Sequence, residues 1–214
     1  MPKFPDPPGV EALAQIARET ETLPAGTTVS RIFFSAGKFP SRWDSFRYFG
    51  PVAGRFDHHL PDTSGRPCVQ ARGIMYLATG EQAIPTCLAE VFQNARLIDR
   101  HAGQPVLAGF RLAAPVTLLD LRGPYTTAIG ASSALHSGPR PRARRWAQQL
   151  YLAHTDIDGL LYCSSMYGNA PVIALFERGA SAIPFRPIFH RALNDLALAN
   201  VLTETAQRIG YSLV

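Results

Sequence analysis

The sequence predicts one α+β domain, and three observations carry that expectation. A chain of 214 residues, 46% hydrophobic and 17% charged, can bury one good-sized core. Short β-branched, aromatic or apolar runs bounded by turn residues read as strands over 27–34, 73–78, 159–163 and 172–176. Other segments repeat their apolar residues at the helical angle of about 100° per residue. No internal repeat or low-complexity tract interrupts them.

In chain order, residues 1–26 form an N-terminal extension, with Pro2, Pro5, Pro7 and Pro8 ahead of a short helix over 10–20 that has Ala12, Leu13 and Ile16 on one face. After the turn-like Leu23-Pro24-Ala25-Gly26, the run Thr27-Thr28-Val29-Ser30-Arg31-Ile32-Phe33-Phe34 is a strand that projects Arg31 from a rigid element. Gly54-Arg55-Phe56-Asp57 and a turn-rich stretch through Pro61, Gly65 and Pro67 lead to the strand over 73–78. A helix follows. Thr79 with Gln82 fits a capping box, whereas Pro85 favours a start at the proline itself. On either register Cys87, Leu88, Val91, Phe92 and Ala95 share an arc, with Glu90 at its margin.

Later, Gly138-Pro139-Arg140-Pro141-Arg142-Ala143-Arg144-Arg145-Trp146 opens a helix whose Trp146, Leu150 and Tyr151 form a buried stripe. Its arginines read as a solvated first turn, although cations are disfavoured at a helix start. Asp158-Gly159 then turns into a buried strand ending in Ser164 and Ser165, and a second strand over 172–176 follows Gly168, Asn169 and Pro171. In the last segment, Leu193, Leu196, Ala197 and Val201 predict a helix over 191–209, closed by Gly210, that caps the core or mediates a homodimer. The organisation is an extension at 1–26, a central body at 27–180 and a helical extension at 181–214 packed on the same domain.

Several classes are excluded. No apolar run approaches the roughly 18 residues a membrane span needs, and no charged-then-apolar leader opens the chain, so a soluble, cytoplasmic protein is expected. Three cysteines without C-x-x-C spacing argue against a disulfide framework or structural zinc. The pair His58-His59 has no partner at ligand spacing, so no metal is expected. No G-x-G-x-x-G follows a strand, which removes a Rossmann dehydrogenase.

Each candidate residue has an ordinary reading. Arg31 can be a solvated edge arginine, Tyr76 a core residue alternating with Ile74 and Ala78, Glu90 a solvated charge, and Ser164 and Ser165 a strand terminus. Their joint occurrence in order is what counts. The frames VSRIFF, LAEVF and DGLLYCSS, with the returning VIALFER strand, resemble the RES-domain family, named for its arginine, glutamate and serine; the resemblance covers roughly residues 27–178. Arg31 matches the first family arginine, Arg55 the arginine of a Gly-Gly-Arg-Trp turn that reads Ala53-Gly54-Arg55-Phe56 here, Tyr76 the strand tyrosine, and Glu90 and Ser164 the remaining pair. Ser165 stands where many relatives carry arginine.

That resemblance implies an ADP-ribosyltransferase-like fold with a split β-sheet core. It further implies cleavage of the nicotinamide–ribose bond of NAD, by phosphorolysis to ADP-ribose 1″-phosphate or by hydrolysis, and a toxin role beside an antitoxin protein. NAD is then substrate and not cofactor, with inorganic phosphate as co-substrate. Glu90 would face the cationic transition state, Arg31 and Arg55 the pyrophosphate or phosphate, and Tyr76 the nicotinamide ring. Ser164, with Ser165 beside it, would bond the ribose, the carboxamide or the phosphate. Two rival expectations are transfer of ADP-ribose to a protein target and a basic nucleic-acid-binding module built on the arginines at 140–145, for which the net charge of +5 is modest.

Overall fold

The computed structural model describes residues 4–214. The elements in chain order are α1 (Val10–Ala14), β1 (Thr20–Leu23), β2 (Thr28–Phe34), β3 (Arg47–Gly50), β4 (Cys68–Thr79) and α2 (Ala83–Val91). There follow β5 (Leu97–Ile98), β6 (Pro105–Arg111), β7 (Val116–Asp120), α3 (Tyr125–Ala128), α4 (Ala134–Ser137) and α5 (Arg140–Ala153). The chain closes with β8 (Gly159–Cys163), β9 (Pro171–Phe176), β10 (Phe189–Ala192), α6 (Ala199–Ile209) and β11 (Ser212–Leu213). Among the described residues the fold is α+β: a nine-stranded mixed sheet flanked by helices, in the order β1-β7-β8-β9-β4-β2-β6-β10 with β3 also on β4, and a separate β5–β11 pair.

The sheet is split where it matters. Strands β2 and β4 pair only through Val29↔Thr79 and Ser30↔Ala78, and then part, so that β3 occupies the rest of that edge of β4. Elsewhere the pairing is continuous: β4 runs beside β9 from Ile74↔Phe176 to Ala78↔Val172, and β2 beside β6 over its whole length. Strand alternation sorts the buried side chains. Ile173, Leu175, Met75, Leu77, Ala108 and Phe110 build a core on one face. The other face carries two: one under α5 and α1, with Trp146, Leu150 and Leu13, and one under α2 and α6, with Leu88 and Leu202.

Four local expectations are corrected. The helix predicted over 10–20 stops at Ala14, and Thr20–Leu23 instead joins the sheet on β7, because its backbone pairs with Val116–Leu119. Thr79 does not cap α2: its hydroxyl bonds the Thr28 carbonyl, and α2 begins at Ala83 with Pro85 in the first turn, where a missing N–H costs nothing. The helix also ends before Ala95. The predicted 191–209 helix divides into β10 on β6, a 3-10 turn at Leu196–Leu198 and α6. Leu196 is 88% exposed, and the buried stripe of α6 is Leu202, Thr205 and Ala206, closed by Gly210 at φ 68°. No helix of the described residues is long and apolar enough to cross a membrane.

Candidate functional site

The parting of β2 from β4 opens a cleft of about 760 Å³ between the two cores that share a sheet face. Its floor is Ile74 and Tyr76 of β4, Tyr162 of β8, Val172 of β9 and Ile32 of β2; Glu90 stands on the α2 wall, Arg55 on the turn before β4 and Arg140 at the start of α5. Of the residues expected from sequence, Arg31, Arg55, Tyr76 and Glu90 therefore line one cleft. Ser164 and Ser165 do not line it: Ser164 is buried behind Glu90, and Ser165 is exposed.

Glu90 is half-buried and held at both oxygens. Ser164 Oγ donates to Oε1 at 2.6 Å, and Gln93 Nε2 donates to Oε2 at 3.3 Å. The serine has no freedom in this. Its oxygen accepts the backbone N–H groups of Met166 (3.1 Å) and Tyr167 (3.0 Å), so its own proton is left to point at the carboxylate. Ser164 thus touches Glu90 and does not line the cleft itself.

The cations are arranged differently. Arg31 sits beneath the 35–46 loop, where its Nη1 donates to the carbonyls of Trp43 (3.1 Å) and Ser45 (3.0 Å), while its buried Nε has no partner. Burial lowers its pKa to about 10, against a smaller opposing pull from the charge of Asp44. Arg55 donates to the Gly138 carbonyl at 2.6 Å; burial, and then the charge of Arg140, lower its pKa as well. Arg140 is held by Gln93 Oε1 at 2.6 Å. Arg42 and Arg47, also in the lining, are paired with Asp44 and Asp57. Among the described residues, Arg31, Arg55 and Arg140 have no carboxylate within ion-pair distance.

Tyr76 completes the floor. Its hydroxyl lies near the Phe56 amide but is buried without a well-formed hydrogen bond, and burial raises its pKa. A Cβ at position 54 would stand 2.7 Å from that oxygen, so Gly54 lets the turn carrying Arg55 lie directly on the tyrosine. Tyr162, its neighbour in the cleft, packs against Phe56 with ring centroids 4.5 Å apart and planes tilted by 59°.

Three participants were not singled out from sequence as site residues: Gln93, Tyr162 and Arg140, the last read as part of a solvated turn. Its neighbours Arg142 and Arg145 pair with Asp6, which leaves Arg140 as the member of that run turned to the cleft. The pair His58-His59 is fully buried, with His59 bonded to Asp57, and no group of three or more candidate metal ligands occurs among the described residues.

Fold and site together define an α+β protein with an arginine-lined, single-carboxylate cleft at a split in its sheet. In architecture the chain is similar to a chain of the crystal structure of the M. tuberculosis MbcT-MbcA toxin-antitoxin complex, with a TM-score of 0.53 at 14% identity, over 92% of this chain and 96% of that one. No protein-family model matches the sequence, and no curated protein does. The likeness is one of fold.

Proposed function

We propose that this chain is a RES-type enzyme that breaks the nicotinamide–ribose bond of NAD, with inorganic phosphate as acceptor. The observation that carries the reading is a single carboxylate, Glu90, fixed at both oxygens in a cleft whose other charged side chains include three arginines without carboxylate partners. A volume of about 760 Å³ suits a ligand of this size. A phosphate oxygen bonds to the ribose carbon as the carbon–nitrogen bond breaks, and nicotinamide leaves with the bonding electrons as a neutral molecule. No proton has to be delivered to it. Positive charge develops on the ribose, where a prepositioned carboxylate stabilises it most. Arg31 and Arg55 hold the pyrophosphate or phosphate, Tyr76 offers its ring to the nicotinamide, and Ser164 keeps Glu90 in place.

The fold likeness to a chain of a toxin–antitoxin complex supports a further step: the protein is a toxin acting on cytoplasmic NAD and controlled by an antitoxin protein. The test is nicotinamide release from NAD by the purified protein, with and without phosphate, following the second product by mass. ADP-ribose 1″-phosphate is the expected product. ADP-ribose alone would make the enzyme a hydrolase, label on a protein a transferase, and no release would remove the proposal.

A further inference from the structure

Gln93 lies just past the C-terminal end of α2 and touches three groups at once. Its Nε2 donates to the Glu90 backbone carbonyl at 2.6 Å and to Glu90 Oε2 at 3.3 Å, and its Oε1 accepts from Arg140 Nη2 at 2.6 Å. Satisfying an orphan carbonyl at a helix end is an ordinary task for a side chain. That task does not require the other two bonds, one to the carboxylate of the cleft and one to a residue 47 positions away on α5.

The amide has one orientation that suits both neighbours, because a carboxylate takes only donors and a guanidinium only acceptors. Reversed, its oxygen would face Glu90 and its NH2 group would face Arg140. Arg140 thereby fixes the amide, the amide fixes one oxygen of Glu90, and Ser164 fixes the other.

We infer that Gln93 is a positioning residue for Glu90, set by Arg140, and that the Arg140–Gln93–Glu90 chain ties the α2 and α5 walls of the cleft into one unit around the carboxylate. The inference rests on the NAD-cleaving reading for its kinetic consequence but not for its geometry. A carboxylate aligned before the reaction needs no reorganisation as positive charge appears, whereas a loose one does. The effect of losing the amide therefore falls on turnover, while the groups that hold the pyrophosphate are untouched.

Gln93→Met keeps the length of the side chain and removes both ends of the clamp. It is expected to lower kcat by about 10-fold or more, as small misplacements of a reacting group do, with the KM for NAD and the thermal midpoint close to wild type. In the Gln93→Met background, adding Arg140→Met should lower kcat no further than the more damaging single substitution. Wild-type kcat in Gln93→Met, or a fall in kcat matched by loss of folded protein, would overturn the inference. A second readout needs no turnover. In 15N-labelled protein the Gln93 side-chain amide pair, assigned by its disappearance in Gln93→Met, should shift both in Glu90→Gln and in Arg140→Met. An amide indifferent to both substitutions would sink the clamp. If wild type releases no nicotinamide, the proposed reaction fails, and the amide shifts alone decide this inference.

Discussion

Two places on β4, Gly73 and Tyr76, handle charge in opposite ways. At Gly73 the nearby carboxylate, Glu177, is saturated: the Gly73 N–H donates at 2.8 Å, the Tyr151 hydroxyl at 2.6 Å, and His58 Nε2 lies 3.8 Å away. Burial alone would push its pKa up, but His58, Tyr151 and Gly73 hold it at about 2. Arg72 and Arg178 lie over the Tyr151 ring, 4.8 and 3.8 Å from its centroid. The carboxylate there is fully served, although both ring nitrogens of His58 are buried without hydrogen-bond partners. At Tyr76, by contrast, a hydroxyl and the Nε of Arg31 are buried without partners, and three arginines lack a carboxylate. On the outer surface, Arg122 is paired with Glu21 and Asp120, and Arg18 with Asp156. Native interiors rarely leave polar groups unsatisfied, and on the proposed function the unpaired groups that line the cleft are the ones a ligand satisfies.

The contrast can be broken by substitution. Apart from the central carboxylate, the largest effect is expected from Arg31→Met, which on the proposed function removes charge-assisted hydrogen bonds to the substrate; at about 1.5–3 kcal/mol each, the KM for NAD should rise by about 10- to 100-fold. Steady-state kinetics with an unchanged KM would place the pyrophosphate elsewhere. Next comes Glu177→Gln, which acts on stability and not on NAD. The folded-state pKa of Glu177 lies below its ordinary value of 4.5, so ionised Glu177 stabilises the fold fully above that value and loses this contribution as pH falls towards about 2. Urea unfolding of wild type and variant should differ by about 1–3 kcal/mol at neutral pH, and the gap should close in acid. A gap independent of pH would contradict the assignment. The smallest effect is that of Arg122→Met: an exposed ion-pair network contributes within about 1 kcal/mol, and NAD kinetics should not change. A raised KM in that variant would erase the distinction between cleft and surface.

The same physics decides what could be read in the sequence. Strands β2, β8 and β9 were legible because uninterrupted apolar or β-branched runs end at turn residues. Strand β6 escaped: Pro105 and Gly109 sit inside a run that is buried except at Arg111, with the Phe189 ring packed on Gly109, and such a run carries no period. Strand β10 was hidden by His190 and Arg191 on an exposed edge, next to a leucine spacing that imitates a helix. In the site, Arg31, Arg55, Tyr76 and Glu90 could be named because each sits in a local frame. Gln93 and Arg140 meet only through tertiary structure. One signal did point to Arg140: a cation at a helix start, where negative charge is preferred, needs a reason to be there.

The most direct test of the central claim sets NAD binding beside turnover in Glu90→Gln. Removing the charge that meets only the transition state should leave the dissociation constant for NAD near that of wild type and lower nicotinamide release by about 100- to 1,000-fold. Full release by Glu90→Gln would show that the carboxylate at the centre of this cleft is not what drives the reaction.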